Sequence, residues 1–229
     1  MRLRITHETS YRYERPITRA VQVLRLTPQN HQGQFVSDWR LDTSADGRLM
    51  PVEDPYGNVT HSLSVEGPVD ELVVTAAGEV NTDDTAGIVR GARERLPVPL
   101  FLRQTALTEP DPAMRGLAER VAAAAADPLD VLHRLNQEAH AHFTLAAPTY
   151  APVRPAAETY EKGEGTPQDL AHVFIGLARH AGIPARYVSG YLFRDAASRE
   201  VDAGHAWAEA FVEGIGWIGF DPSLGVCPT

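Results

Sequence analysis

The 229-residue sequence contains one cysteine, Cys227, which excludes a framework of internal disulfides. It has no apolar run near the roughly 20 residues that a membrane-spanning helix needs, and its first residues alternate in polarity, unlike a signal peptide. Basic residues are scarce: the chain has 21 Lys and Arg residues but 30 Asp and Glu residues, which gives a net charge of −9. Phosphate binding needs a basic surface. We therefore expect a cytoplasmic protein with neither a nucleic-acid nor a membrane partner.

The residue pattern changes near position 85, which predicts two domains. Residues 1–85 carry short period-two alternations separated by turns, a pattern typical of a β-rich, sandwich-like domain. Residues 86–110 are rich in Gly and Pro and are predicted to be a connection. In residues 111–229 helical periodicity comes first and strands follow, which predicts an α+β core with a helix packed on an antiparallel sheet.

Three helix starts are marked by an N-cap residue followed by proline. The pairs Asp111-Pro112, Asp127-Pro128 and Thr166-Pro167 predict helices over 112–126, from 128 onward and over 167–181. Residues 144–162 contain several prolines and are predicted to be irregular. Strands are predicted over 186–193, 205–212 and 216–220, with a turn around 196–198 after the first of them. In the β-rich domain, separate strands are predicted over 59–65 and 72–80.

The third helix start is followed along the chain by a histidine and an aspartate. Thiol-based acyl transfer requires a thiolate beside an imidazole and a third group that orients the imidazole. A helix N-terminus lowers the pKa of a cysteine placed there. His205 begins one predicted strand and Asp221 ends the next, so adjacent antiparallel strands would bring the two side chains together.

The motifs around these residues resemble those of the bacterial transglutaminase-like family, whose members are described as candidate cysteine proteases. The matching motifs are Thr6-His7-x-Thr9-x-Tyr11-x-Tyr13, Gly165-x-x-Gln168-Asp169-x-Ala171-His172, Gly182-Ile183-Pro184-Ala185-Arg186-Tyr187-Val188-Ser189-Gly190-Tyr191, His205-Ala206-Trp207 and Gly216-Trp217-x-Gly219-Phe220-Asp221-Pro222. The resemblance implies a β-rich N-terminal domain followed by a papain-like core. It also implies further strands after the last motif, so the core is expected to be short at its C-terminus, by truncation or by loss.

The resemblance assigns the nucleophilic cysteine to position 167, the base to His205 and the orienting carboxylate to Asp221. The intervals fit, since 38 positions separate 167 from 205 and 16 separate 205 from 221, but residue 167 is proline. Proline removes the sulfur and also a backbone N–H that could stabilise an oxyanion. The same residue favours the helix start. We therefore predict a catalytically silent homologue that keeps a cleft for a peptide or protein amide.

Several alternatives remain open at this point. Thr166 or Cys227 could replace the missing nucleophile, or the cysteine was substituted in this chain and the parent is an active cysteine-type protease, amidase or acyltransferase. Trp207 and Trp217 are either cleft walls or sheet core, and Gln168 is either a cleft residue or an exposed residue of the first helical turn. Glu209 alternates outward between alanines and is expected to be a solvated charge. His172 is expected to be a hydrogen-bonded core histidine, although a metal site of His172, His205 and Asp221 is conceivable. We expect no metal and no cofactor.

Overall fold

A computed structural model describes residues 1–146, 152–193 and 204–228. It divides into two compact units: residues 1–84 with 90–96, and residues 85–89 with 97–229. Among the described residues, no helix is long and apolar enough to cross a membrane.

The first unit is an antiparallel sheet of four strands, β1 (Arg2–Leu24), β2 (Gln34–Thr43), β3 (Gly47–Glu53) and β4 (Val59–Thr82). Strand β4 pairs with β1 along its length, with β3 through its first half and with β2 through its second half. The sequence predicted separate strands near 59–65 and 72–80, and this was wrong because one continuous strand contains both. One face of the sheet buries Leu63, Val65, Leu72 and Val74.

The described residues of the second unit form four α-helices: α1 (Pro112–Ala124), α2 (Pro128–His142), α3 (Ala156–Lys162) and α4 (Pro167–His180). The three predicted cap and proline pairs are confirmed as helix starts. Asp111 accepts a hydrogen bond from Met114 N, Asp127 from Asp130 N and Thr166 from Asp169 N. Helix α3 falls inside the segment predicted to be irregular, so that prediction was wrong for residues 156–162; prolines flanking a short helix concealed it.

The sheet of the second unit has the strand order β5-β10-β9-β8. Its strands are β5 (Ile88–Val89), β8 (Ala185–Gly190), β9 (His205–Val212) and β10 (Gly216–Phe220). Strand β5 lies in the segment predicted to be a connection. Strands β6 (Thr144–Leu145) and β7 (Glu164–Gly165) form a small parallel pair that leads into α4.

Helix α4 is the central helix of this unit and packs on the sheet. It buries ten of its residues, including Leu170, Phe174 and Leu177, and Phe174 stacks on Phe220 of β10 at a ring distance of 5.2 Å. The alanines at 206, 208 and 210 give the helix room to approach β9, and all three are fully buried. This packing fixes the helix start relative to the first residue of β9.

Gly176 allows α4 to pack closely against a neighbouring loop. A Cβ at this position would lie 2.3 Å from Thr108 O. We expect Gly176→Ala to lower the free energy of unfolding by about 1–3 kcal/mol through overpacking, despite the higher helix propensity of alanine. Urea unfolding measures this. Gly116→Ala is the matched control, because its Cβ would meet only Arg120 Nη1 at 3.4 Å; an equal loss in both variants would contradict the packing argument.

Candidate functional site

The start of α4 is closed by reciprocal hydrogen bonds between Thr166 and Asp169. The Thr166 hydroxyl accepts from Asp169 N at 3.3 Å and donates to Asp169 Oδ2 at 2.9 Å, while Thr166 N donates to the same carboxylate at 3.0 Å. Asp169 is buried and also accepts from Arg154 N at 2.8 Å. Pro167 occupies the first helical position between them. The Thr166 hydroxyl is thus committed to the cap and is poorly placed to act as a nucleophile.

His205 and Asp221 form a buried pair. His205 Nε2 lies 2.5 Å from Asp221 Oδ2, and the two residues are 7% and 1% exposed. The strand register places Asp221 one step beyond the Phe220–Ala208 pair, so its side chain reaches diagonally to the first residue of β9. The structure therefore brings together the histidine and the aspartate that the sequence motifs singled out.

The second carboxylate oxygen of Asp221 is held by Ser223. Asp221 Oδ1 accepts from Ser223 Oγ at 2.6 Å, from Ser223 N at 2.9 Å and from Leu224 N at 3.3 Å. These donors stabilise the ionised carboxylate and fix its plane. The sequence analysis missed Ser223; its position two residues after an aspartate, in a turn-forming segment, was the available signal.

Helix α2 supports the turn that carries these donors. Asp221 N donates to Val226 O at 2.9 Å, which closes the turn over residues 221–226. On α2, Asn136 Nδ2 donates to Val226 O at 3.4 Å and His140 Nδ1 donates to Pro222 O at 3.2 Å. His140 is thus part of the support of the turn.

Gln168 links the helix start to the strand that carries the histidine. Its Nε2 donates to Gly204 O at 3.0 Å, one residue before His205. A cavity of about 380 Å³ lies beside the same helical turn. The described residues that line it are Ala146, Pro152, Val153, Arg154, Thr166, Gln168 and Asp169. Position 167 therefore lies on a helical turn that borders a cavity and contacts the residue before His205.

The two tryptophans of the matching motifs, Trp207 and Trp217, have different surroundings. Trp217 is buried in a cluster in which the Arg186 guanidinium lies 4.1 Å from the centre of its ring and Phe101 packs edge-on at 5.1 Å. Trp217 is therefore a core residue. Trp207 is half-buried, and its ring centre lies 6.3 Å from that of His205. Of these two tryptophans, only Trp207 lies beside the His205–Asp221 pair, where a side chain could form a wall of the cleft.

Glu209, which sequence alternation places on the exposed face of β9, is in fact buried. Its carboxylate accepts from Arg186 Nε at 2.8 Å, and Arg186 Nη2 lies 2.7 Å from the same oxygen. The expectation of a solvated charge was wrong, because alternation shows which side of a strand a residue faces but not what covers that side.

His172 stacks on Tyr187, with ring centres 4.9 Å apart and an interplanar angle of 12°. Within the described residues its Nδ1 is buried without a hydrogen-bond partner, and no group of three His, Cys, Asp or Glu side chains is arranged to hold a metal ion. Burial lowers the pKa of His172, and burial raises the pKa of Tyr187 to about 12. His172 therefore behaves as a neutral core residue.

The lowered pKa of His172 predicts a loss of stability in acid. Below the ordinary value of 6.5 the unfolded chain binds a proton at this residue before the folded chain does, so the free energy of unfolding falls as the pH decreases. We expect His172→Gln to flatten this fall between about pH 7 and 5, as measured by urea midpoints at each pH. An unchanged slope would show that His172 binds its proton equally in the folded and unfolded chains, which contradicts a lowered pKa.

Cys227 lies near the end of the chain and packs against the core of the second unit. It is half-buried, and burial raises the pKa of its thiol. A thiol with a raised pKa is a poor nucleophile at neutral pH.

Comparison with known proteins gives two matches to family models. Residues 3–81 match the model of the bacterial transglutaminase-like N-terminal region, and residues 115–222 match the model of the transglutaminase-like superfamily. The chain belongs to the bacterial transglutaminase-like family. The α+β prediction for the fold is confirmed by the same matches.

Relatives span nearly the whole chain. An uncharacterized protein of Mycobacterium leprae is 29% identical over 98% of this chain and 84% of its own length. An uncharacterized protein of Mycobacterium tuberculosis is 29% identical over 97% of this chain and 78% of its own. Among solved structures, a candidate cysteine protease from Cytophaga hutchinsonii superposes with a TM-score of 0.79 at 19% identity, covering 99% of this chain and 78% of the other. That structural match shows the shared fold.

Proposed function

We propose that this transglutaminase-like protein is silent in thiol-dependent acyl transfer and binds an extended peptide or protein amide in the cleft at the start of α4. The observation that carries the proposal is Pro167 in the first position of α4, with its cap complete. A proline there supplies neither a sulfur nor a backbone N–H. Loss of one oxyanion donor alone costs about 10²–10³ in rate, and loss of the nucleophile removes the acyl-enzyme route.

Neither of the other candidate nucleophiles compensates for the proline. The Thr166 hydroxyl is engaged by Asp169 in both directions, so activating it would break the helix cap. Cys227 has a raised pKa and lacks the helix N-terminus that would stabilise its thiolate. Both alternatives are thus disfavoured by the surroundings of the atoms concerned.

The cleft supports a binding role. The His205–Asp221 pair is formed, Trp207 lies beside it, and Gln168 bridges the helix start to Gly204. The cavity next to Thr166 and Gln168 offers apolar surface from Pro152 and Val153 together with the Arg154 side chain. An extended chain could place an apolar side chain there and its amide near the imidazole.

The intact pair also favours a second candidate, in which the parent of this chain is a cysteine-type protease, amidase or acyltransferase whose nucleophile was replaced at position 167. In that case every other part of the acyl-transfer site is already in place. Restoration of a cysteine separates the two candidates, as described in the Discussion.

A direct test measures amide chemistry with the wild-type chain. We expect no release of dye from fluorogenic peptide amides and no cross-linking of glutamine peptides to amines, and no labelling by a thiol-alkylating probe that depends on His205. Wild type and His205→Ala should give equal traces in all three assays. Amide turnover that disappears in His205→Ala would contradict the proposed silence.

A further inference from the structure

Asp221 determines which nitrogen of His205 carries the proton. Its carboxylate accepts three donors from Ser223 and Leu224 on Oδ1 and contacts His205 Nε2 on Oδ2. Since an ionised carboxylate only accepts, Nε2 must donate, and the neutral ring then carries its lone pair on Nδ1. Asp221 therefore positions His205 as a base that points its free electron pair away from the carboxylate.

The Nδ1 atom has no hydrogen-bond partner among the described residues. His205 as a whole is only 7% exposed, but Nδ1 is not among the side-chain atoms that are both buried and without a partner, so a small molecule can reach it. A water molecule or a ligand donor is the natural partner for such an atom. An O–H group placed there would donate its hydrogen to Nδ1.

One donor remains at the start of α4 after the cap is complete. Pro167 has no N–H, and the N–H of Asp169 is used by Thr166 Oγ1. The N–H of Gln168 has no partner among the described residues, and the side chain of the same residue contacts Gly204 O, next to His205. The free donor thus belongs to the residue whose side chain contacts Gly204, and the base is the next residue along the chain.

We propose that His205 and Asp221 form a general-base dyad that hydrolyses activated acyl esters and thioesters with water as the nucleophile. This activity goes beyond the proposed function, which concerns amides and needs no turnover. Amides are not expected to be substrates of this dyad, because an amine leaves only after its nitrogen has been protonated. A phenolate or thiolate leaves readily without this.

His205, Gln168 and Asp221 account for the proton transfers and the charge in each step of the hydrolysis. Water transfers a proton to His205 Nδ1 as its oxygen bonds to the acyl carbon, and the carbonyl electron pair moves to oxygen, where the Gln168 N–H can donate to it. The tetrahedral species then expels the alcohol or thiol group, which takes the proton from Nδ1. Asp221 stays ionised throughout, and the products are a carboxylic acid and an alcohol or thiol.

The test uses p-nitrophenyl acetate and phenyl thioacetate with the full chain. We expect His205→Gln to reduce kcat/KM by about 10²-fold, within the usual range for general-base catalysis. Asp221→Asn should reduce it at least about tenfold because it favours the wrong tautomer. His180→Gln is the control, since this surface histidine contacts only Glu119 among the bonds described and should leave the rate unchanged.

Two results would overturn the dyad. One is equal ester hydrolysis by wild type and folded His205→Gln, with folding checked by circular dichroism. The other is an acetyl adduct on Thr166 or Cys227 in the intact mass of quenched wild-type protein, because the nucleophile would then be a side chain. If the variants do not fold, wild type alone remains informative: turnover should be linear from the first cycle and slower in D₂O. None of these results bears on the amide assays that test the proposed function.

Discussion

Pro167→Cys is expected to create a reactive thiol with a pKa below the ordinary value of about 8.5. The new side chain would occupy the first position of α4, where the helix dipole favours an anion, and would lie on the turn that contacts the residue before His205. In a Cys227→Ser background the new thiol should react with iodoacetamide at pH 7 at least about ten times faster than Cys227 does in wild type. Rates are measured by mass spectrometry.

The chain supplies matched controls for that experiment. Pro112 and Pro128 also occupy the first position of a helix after an aspartate cap. Cysteines at those two positions experience a helix N-terminus without the His205–Asp221 pair, so they should react more slowly than a cysteine at 167. Adding His205→Gln to Pro167→Cys should slow it to their level. If cysteines at 112, 128 and 167 react at equal rates while His205 is intact, the His205–Asp221 pair is not aligned with position 167.

Arg186→Met is expected to destabilise the second unit by about 3–5 kcal/mol, the usual cost of breaking a buried ion pair. The Glu209 side chain is 8% exposed and would keep its charge without a partner. The guanidinium would also leave the face of Trp217, which it now covers at 4.1 Å. The urea transition reported by tryptophan fluorescence measures the loss.

A second substitution distinguishes the unpaired charge from lost packing. Arg186→Met combined with Glu209→Gln removes the charge and should recover at least half of the loss, whereas a loss due to packing alone would persist. Arg134→Met is the surface control, because its pair with Asp130 is solvent-exposed and contributes little to stability. A similar loss in Arg134→Met and Arg186→Met would contradict the role assigned to burial.

The helix starts and the pairing partners of the site were predictable from sequence because their causes are local. A cap residue followed by proline marks a first turn wherever it occurs, and Thr166 with Asp169 also satisfied most of a capping box. His205 and Asp221 lie at the start of one strand and just past the end of the next, so a tight connection between the strands was enough to bring them close.

The features that sequence missed depend on distant neighbours. No residue close to Glu209 in the sequence indicates that it pairs with Arg186, which lies 23 residues away on the neighbouring strand. His140 is a second example. It supports the turn after Asp221 through Pro222, from which it is separated by 82 positions in the sequence. The predicted turn near 196–198 lies outside the described residues.

The Thr166–Asp169 cap has a consequence for how this site can change over time. The three hydrogen bonds that close the start of α4 join Thr166 and Asp169, so none of them involves the side chain at position 167. A cysteine at position 167 would therefore leave the hydrogen bonds of the cap in place. A change of chemistry at this position does not require a change in how the helix begins.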